Sequence, residues 1–499
     1  MIQILGSRDR CRVYSSTVKA TAWRVRRSAS CALRWLLFFM LMAPLAKAAT
    51  FSTIITNGPT TNRVNLVIFS EGYTNGQLAT FLNDATNAAN FFLSAEPYAE
   101  YSNYFNVFAI FTNSAHSGST HLIYQTYTPG YTYFNSSYDS SQDRLITIPP
   151  NTVDANPSHG QGKINSILWT NYSAIFPRTN NNLPALLVND PVSGGSDGGS
   201  SDYGHAAISS VGNVSYILVH ESGHTLGGLG DEYTQAYPGF PTNDVEPNTT
   251  VQTNYLQIKW KAWISNGTPI PTPPLETYVD SVGLFQGAHY HTNGWYRPYF
   301  NCCMGSFYLG FCPVCQEALV LAIYGKTRPL YSHSPATNSL TVNTPTNLTF
   351  SLNLLQPATH SLNVQWRTNG VVVGGATNPA LNLWWAQLGN GTNQVEADVW
   401  DATSMVRTDA KNVLKQTNVW TLNLAVPGMQ LEALKWLTNG DFSFQVTGSA
   451  PAGVVIQMST NLLQWTAVQT SSFSGGKFLY TNSGAAAAPK RFFRAVTPP

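Results

Sequence analysis

Residues 214–233, VSYILVHESGHTLGGLGDEY, constrain this chain more than any other stretch, because here residue type and spacing together specify a chemistry. His220 and His224 are four apart, so on an α-helix they project from one face, one turn above the other, and their imidazoles can share one ion. The apolar run Tyr216 to Val219 feeds such a helix, and Gly227, Gly228 and Gly230 make its continuation costly. A chain that breaks there doubles back, and Asp231 or Glu232 then supplies an oxygen ligand. Two nitrogens, one carboxylate and a fourth position open to water are the coordination of catalytic rather than structural zinc. Glu221, on the same helix, is placed to take a proton from a water at that position and hand it to a departing amine. The competing reading is a buried amphipathic helix whose histidines are hydrogen-bonded core residues, and the glycines that follow weigh against it.

His289 and His291 bracket Tyr290, and because alternate residues of a strand point the same way they are the main competitors to Asp231 for the third ligand position. His116, His121 and His159 are isolated and read as surface or satisfied histidines. Tyr290 and Tyr296 are candidates for stabilising an oxyanion opposite the metal, against the plainer reading of exposed cleft tyrosines.

At HESGHTLGGLGDEY, at FSEGYT (69–74), at VGLFQGAHYHTNGWYRP (282–298) and at NCCMGSFYLGFCPVCQEAL (301–319), the chain resembles the IgA-type zinc metallopeptidases, a family related to the metzincins. The resemblance spans about residues 60–325. It implies one catalytic Zn2+ held by His220, His224 and Asp231, with Glu221 as general base. In metzincins the third ligand lies six residues after the second histidine, which here is Gly230; Asp231 is at seven and Glu232 at eight. The turn must therefore be one residue longer, and Asp231 is the expected ligand, since the family pattern HExGHxxxGLxDEY places its acid directly after the glycines. Met304, in Cys-Cys-Met-Gly, resembles the methionine turn that floors a metzincin site, its thioether packing beneath the histidines without binding metal. Where the family usually shows Gly-Asp-Gly-Tyr-like residues, this chain has Ser70 and Glu71.

A chain of 499 residues exceeds one compact core and implies two to four domains. Residues 1–48 read as a signal peptide: basic residues crowd the first 34, Trp35 to Ala43 is mostly apolar, and Ala46-Lys47-Ala48 offers a small-x-small cleavage site. That segment holds nine of the 27 Lys plus Arg and one of the 25 Asp plus Glu, so the remainder carries 18 positive and 24 negative side chains, or −6. A basic nucleic-acid-binding surface is not indicated and no nucleic-acid partner is expected, nor is stable membrane insertion once the leader is removed. The expected location is secreted, in an oxidising compartment. Apart from Cys11 and Cys31 in the leader, the cysteines are Cys302, Cys303, Cys312 and Cys315, and two disulfides are the expectation there. A structural zinc site is the alternative, because C-x-x-C is a usual ligand pair, although adjacent cysteines are not the usual other half.

VNLVIF (64–69) and FNVFAIF (105–111) are continuous apolar runs that predict buried strands, with LPALLVND (183–190) beside both; residues 78–98 carry apolar positions at helical spacing. QEALVLAI predicts a closing helix. The fold class expected is multidomain: an α/β (α+β), metzincin-like zinc peptidase domain over 49–328, one immunoglobulin-like β-sandwich over 335–426, and a small all-β module over 428–499. The function expected is a secreted zinc endopeptidase acting on extracellular proteins or glycoproteins, the C-terminal modules contacting glycan or a cell surface. The alternatives are a non-catalytic surface-binding protein that displays those modules, and a metal-dependent hydrolase of non-peptide bonds.

Overall fold

The computed structural model describes residues 49–121, 132–139, 144–149, 160–176, 181–197, 207–237, 239–344, 346–426, 428–448, 453–473, 476–487 and 490–497. The expected signal peptide (1–48), His159 and part of the Gly/Ser run at 193–204 lie outside the described residues. The chain is multidomain and rich in β-structure with few helices. No helix among the described residues is long and apolar enough to cross a membrane.

The N-terminal half is built on a sheet of six described strands: β1 (Thr50–Ile55), β2 (Val64–Glu71), β3 (Phe105–Phe111), β6 (Asn182–Val188), β7 (Gly195–Ser196) and β8 (Ala207–Ser210), in the order β1-β3-β2-β6-β8-β7. The short strands β4 (Ser137–Tyr138) and β5 (Ile146–Thr147) pair with each other. The four central strands of the large sheet run parallel, and β1 and β7 close its edges antiparallel. A parallel sheet is covered on both faces, which is why every residue of β2 and β3 is buried and their sequences do not alternate. Val64, Leu66 and Ile68 face one core and Val67 and Phe69 the other. β6 pairs with β2 and β8 and not with β3, so the run at 183–190 lies beside one of the two earlier strands, β2 being in the middle.

Helix α1 (Leu78–Phe92) lays Phe81, Ala85, Ala88, Ala89 and Phe92 against the first face. Helix α2 (Gly160–Ser166), continued by a π-helical turn at Ile167–Asn171, covers the second with Ile164, Ile167 and Leu168. Helix α3 (Val214–Gly227) joins the first core through Leu218, Val219 and Leu226. Beyond it the chain is mostly irregular as far as the hairpin β9 (Phe285–Ala288) and β10 (His291–Arg297). Ile258, Trp260 and Ile264 of the IKWKAWI segment are buried, and the Trp260 indole donates to Gly283 O at 2.8 Å, so this segment is packing. Helix α4 (Pro313–Lys326) starts with Pro at its first position, where the missing N–H costs nothing, and packs Leu319 against the end of α3.

The next segment forms two sheets. One joins Leu330–Ser334, Asn347–Leu354 and Ala380–Trp384; the other joins Ser339–Val342, Lys415–Leu424, Gly391–Trp400, Asn363–Thr368 and Val371–Val372. Between them lie Phe350, Trp366 and Trp420. Two three-stranded sheets follow, built from Gln430–Trp436, Phe442–Thr447 and Lys477–Asn482, and from Thr466–Ser471, Val454–Ser459 and Phe492–Val496. Their small core holds Phe444, Val446, Val454, Ile456 and Tyr480, with Phe493 packed on it. Trp465 lies outside that core beneath Arg494, whose guanidinium carbon is 4.3 Å from its ring centre.

A polar cluster joins the segment that carries the first two of these sheets to the N-terminal half. The Tyr101 and Tyr324 hydroxyls donate to Asp401 Oδ2 at 2.8 and 2.7 Å, and His360 bridges Glu100 Oε1 and Asp401 Oδ1 at 2.7 Å each. Burial opposes the charged His360 ring, but the Asp401 and Glu100 carboxylates overcome it and raise its pKa. A raised histidine contributes stability that is fully present below its unfolded value, about 6.5, and lost as pH rises through the folded value. The side chain is 32% exposed, so His360→Ala is expected to cost about 1–2 kcal/mol at pH 6, at the lower end for charge-assisted bonds. Chemical denaturation of both proteins across pH should show the gap narrowing as pH rises.

Candidate metal centre

Helix α3 stops where its glycines permit a reversal. Gly228 takes the left-handed conformation (φ 62°), its N–H donating to His224 O at 3.0 Å while Leu229 N–H donates to Gly223 O at 3.2 Å. The returning chain brings Leu229 O to 2.6 Å from His224 Nδ1. Asn248 then brackets Gly230, accepting from its N–H at 2.7 Å and donating to its carbonyl at 2.8 Å. This places Asp231 against the two rings, with Oδ1 3.2 Å from His220 Nε2 and 3.4 Å from His224 Nε2.

The tautomers follow from the partners. His220 Nδ1 faces Cys303 O at 2.9 Å, and His224 Nδ1 faces Leu229 O. A carbonyl only accepts, so each Nδ1 carries the proton and each neutral ring presents a lone pair at Nε2. Two such nitrogens and a carboxylate oxygen without a hydrogen-bond partner, Asp231 Oδ1, therefore face one another. Three lone-pair atoms in a buried group require positive charge between them. Bonds of about 2.0–2.1 Å to a tetrahedral ion put ligand atoms about 3.3–3.4 Å apart, and the observed 3.2 and 3.4 Å fit this.

Protons are the competing charge. Burial disfavours the imidazoliums, yet Asp231 raises His224 to about 9 and raises His220 well above its ordinary value, while both rings hold the Asp231 carboxyl far below the usual carboxylate range. A metal must displace those protons, so its apparent affinity is expected to climb with pH up to about 9 rather than level off near 7. Calorimetric titration with zinc in buffers of different ionisation enthalpy should report the protons released, fewer at each higher pH. The metal-free fold shifts oppositely: the paired histidines stabilise it below about pH 6.5 and lose that contribution as pH rises through about 9.

Neighbouring groups set the carboxylate and the floor. Tyr290, a candidate oxyanion donor by sequence, instead donates its hydroxyl to Asp231 Oδ2 at 2.9 Å. Tyr290→Phe is expected to weaken metal binding about 10–100-fold, the usual effect of losing an outer partner of a ligand, as competition with a chromophoric chelator would measure. Met304 is fully buried, and a Cβ at position 223 would meet its Sδ at 2.9 Å, so the glycine of HESGH lets the thioether lie against the helix that carries the two histidines. Glu221 is buried; desolvation raises it to about 7, partly offset by the His220 and His224 charges. A Cβ on Gly195 of β7 would stand 2.9 Å from Glu221 Oε1 and 2.7 Å from Ile208 O, so close approach of the sheet edge also depends on a glycine.

Other candidates lie elsewhere. His289 is buried against Trp295 with Nε2 on Pro241 O at 2.8 Å, and His291 Nδ1 meets His289 O, so neither joins the metal group. Tyr296 pairs its backbone with Thr250. Glu71 is fully buried and accepts from Thr132 Oγ1 (2.5 Å), Phe134 N and Ser136 N (2.9 Å each), an ordering role for the loop that follows β3. Glu232 turns away from the histidines towards the cysteines: Cys315 Sγ lies 3.6 Å from its Oε1. The two disulfides expected from sequence are not formed. All four cysteines are buried free thiols, with Cys302 and Cys315 sulfurs 3.6 Å apart against about 2.05 Å in a disulfide. Sequence reasoning missed the roles of Asn248, Tyr290 and Glu232; the first carries no sequence signal, and the third is overshadowed by its neighbour Asp231.

A family profile described as IgA Peptidase M64 matches residues 53–280 and 275–323, which together span 271 of the 499 residues. No curated protein matches the chain. Among solved structures it is similar to three N-terminal domains of the highly immunogenic outer capsid protein (Hoc) of bacteriophage RB49, at 13% identity over 30% of this chain and 55% of that one, TM-score 0.14. It is also similar to the apo β-glucuronidase 3 of Bacteroides uniformis (11% identity, 41% of this chain, 28% of that one, TM-score 0.14) and to chicken CNTN1 FN1–FN3 domains (12%, 30% and 54%, TM-score 0.13). The chain thus spans about half the length of the first of these structures, and overlaps this small carry no argument about fold or function.

Proposed function

The chain belongs to the IgA peptidase M64 family, and from that premise we propose that it is a secreted zinc-dependent endopeptidase whose centre is His220, His224 and Asp231, with Glu221 as general base. The observation that carries this reading is the trio of facing lone-pair atoms beside a buried carboxylate raised to about 7. Zinc, when bound, supplies a Lewis acid that polarises the scissile carbonyl and makes water acidic enough to react near neutral pH. Glu221 takes the proton of the attacking water and returns it to the departing amine; a value near the working pH lets one group do both. Tyr290 holds the Asp231 carboxylate, and the Cys303 and Leu229 carbonyls hold the rings, so ligand directions are set before substrate arrives.

In this reading the first part of the chain is a metzincin-like peptidase domain over 49–328, with Met304 as its methionine turn; 335–426 is an immunoglobulin-like sandwich and 428–499 a small all-β module. Residues 1–48 direct export, and the substrate is an extracellular protein or glycoprotein, with the β-modules contacting glycan or a cell surface. Nothing in the residues selects immunoglobulin A. The test is cleavage-site profiling of the purified chain on a peptide library, with and without a chelator. Chelator-sensitive internal cleavage supports the proposal. Binding without cleavage returns the chain to the surface-binding alternative, and turnover of non-peptide bonds alone to the other.

A further inference from the structure

We propose that Glu232, Cys302, Cys312 and Cys315 hold a second divalent ion of the zinc class, in a closed, structural four-ligand site behind the first centre. One donor atom from each of these residues lies within 4.8 Å of all the others, and all four residues are buried. Bonds of about 2.3 Å to sulfur and about 2.0–2.2 Å to oxygen place tetrahedral neighbours about 3.5–3.8 Å apart. Cys302 Sγ to Cys315 Sγ is 3.6 Å, and Cys315 Sγ to Glu232 Oε1 is also 3.6 Å.

The surroundings are those of a ligand set rather than of a packed thiol cluster. Glu232 is 2% exposed, and its Oε2 has no hydrogen-bond partner, a costly arrangement for a carboxylate with nothing to bind. Its Oε1 accepts from Asn248 Nδ2 at 2.9 Å, the same amide that brackets Gly230, so the carboxylate is oriented from outside. Cys312 stands at the N-cap position of α4, and its N–H lies 3.4 Å from Cys302 Sγ; Cys315 sits in the first turn. Backbone N–H groups at a helix start favour thiolate. Three thiolates and a carboxylate around a divalent ion leave a charge of −2, and the buried Arg297 acts on Glu232 and Cys302 to offset part of it. A cleft of about 320 Å³ has Glu232, Arg297 and Cys302 among its lining residues and so adjoins the group.

A disulfide fits less well. Joining any two of Cys302, Cys312 and Cys315 strands the third thiol and leaves Glu232 Oε2 without a partner, and Cys303 is not in the group. The adjacency of Cys302 and Cys303 argued against a metal in the sequence only while both were counted as ligands; one is, and the fourth ligand is an acid seventy residues upstream. The position of the site also gives it a purpose. Glu232 follows Asp231 directly and donates its N–H to Met304 O at 2.8 Å, while Cys302 precedes Cys303, whose carbonyl fixes His220. An ion here clasps the turn after α3, the methionine turn and α4, and so positions the first centre without touching substrate.

The proposal goes beyond the peptidase reading, and its test separates the two. Elemental analysis of the full chain should give two zinc ions, and X-ray absorption of the His220→Ala/His224→Ala variant should show one remaining ion with Zn–S distances of about 2.3 Å. Alkylation after denaturation in chelator without reductant, followed by peptide mass analysis, should find Cys302, Cys312 and Cys315 all as thiols. A disulfide between any two of them, or a zinc spectrum without sulfur in both proteins, overturns the second site and leaves the first untouched. If the first centre holds no metal, the wild-type chain itself should still carry the sulfur-bound ion.

Discussion

Glu221→Gln is expected to lower kcat/KM for peptide cleavage by on the order of 10²–10⁴, the contribution of a positioned general base, while zinc content is unchanged. Converted at 1.36 kcal/mol per tenfold, that is about 3–5 kcal/mol of barrier. The amide matches the carboxylate in size, so the contact with the Gly195 backbone at the sheet edge survives, and Glu221 is not among the three residues whose donor atoms converge. What disappears is the capacity to accept a proton. In the wild type, Glu221 is held near 7 by burial, against the opposing His220 and His224 charges, so it is part protonated at neutral pH. The measurement is steady-state cleavage of a quenched peptide alongside elemental analysis of the same preparation. Activity within a few-fold of wild type would remove Glu221 from the mechanism, and loss of zinc with loss of activity would assign it to the metal instead.

How much of this was legible in the sequence depended on how local the physics was. Helix α3, its break at Gly228 and the convergence of His220 with His224 follow from spacing and glycine alone, and the structure has them as read. The strands at 64–69 and 105–111 were legible because a parallel strand buried on both faces shows as an unbroken apolar run. Strand order was not, since nothing in LPALLVND says which side of β2 it takes. For the third ligand the register count favoured Asp231, with Glu232 and the His289/His291 pair as the alternatives; in the structure Asp231 faces the two imidazoles, while an Asn248 amide from residues downstream holds Gly230 and Glu232 together. The cysteine prediction failed for a related reason: an export signal and an even number of cysteines favour disulfides in general, whereas Glu232 becomes a neighbour of Cys315 only once α4 is folded against the turn. Long-range convergence of single polar residues leaves no periodic trace.

Asp231→Asn is expected to weaken zinc at the first centre by about 3–5 kcal/mol, an apportioned share of the 10–16 kcal/mol typical of structural zinc, or on the order of 10²–10⁴-fold. An amide keeps the shape and can still accept from the Tyr290 hydroxyl, so the loss isolates charge. Charge is what Asp231 supplies in both states of the centre: it opposes the burial penalty on the His220 and His224 rings and raises their pKa values. In the metal-free variant those rings should therefore titrate well below the wild type, with His224 falling from about 9, a change visible in imidazole carbon resonances without any assay of activity. Glu232→Gln provides the contrast, because its carboxylate faces the thiols: the two imidazoles should keep their raised values and the first centre its affinity. If the two variants behave the other way round, with Glu232→Gln lowering the histidine titrations and Asp231→Asn leaving them alone, the ligand lies one residue further along the turn. The carboxylate that answers is then the one that closes the metal centre.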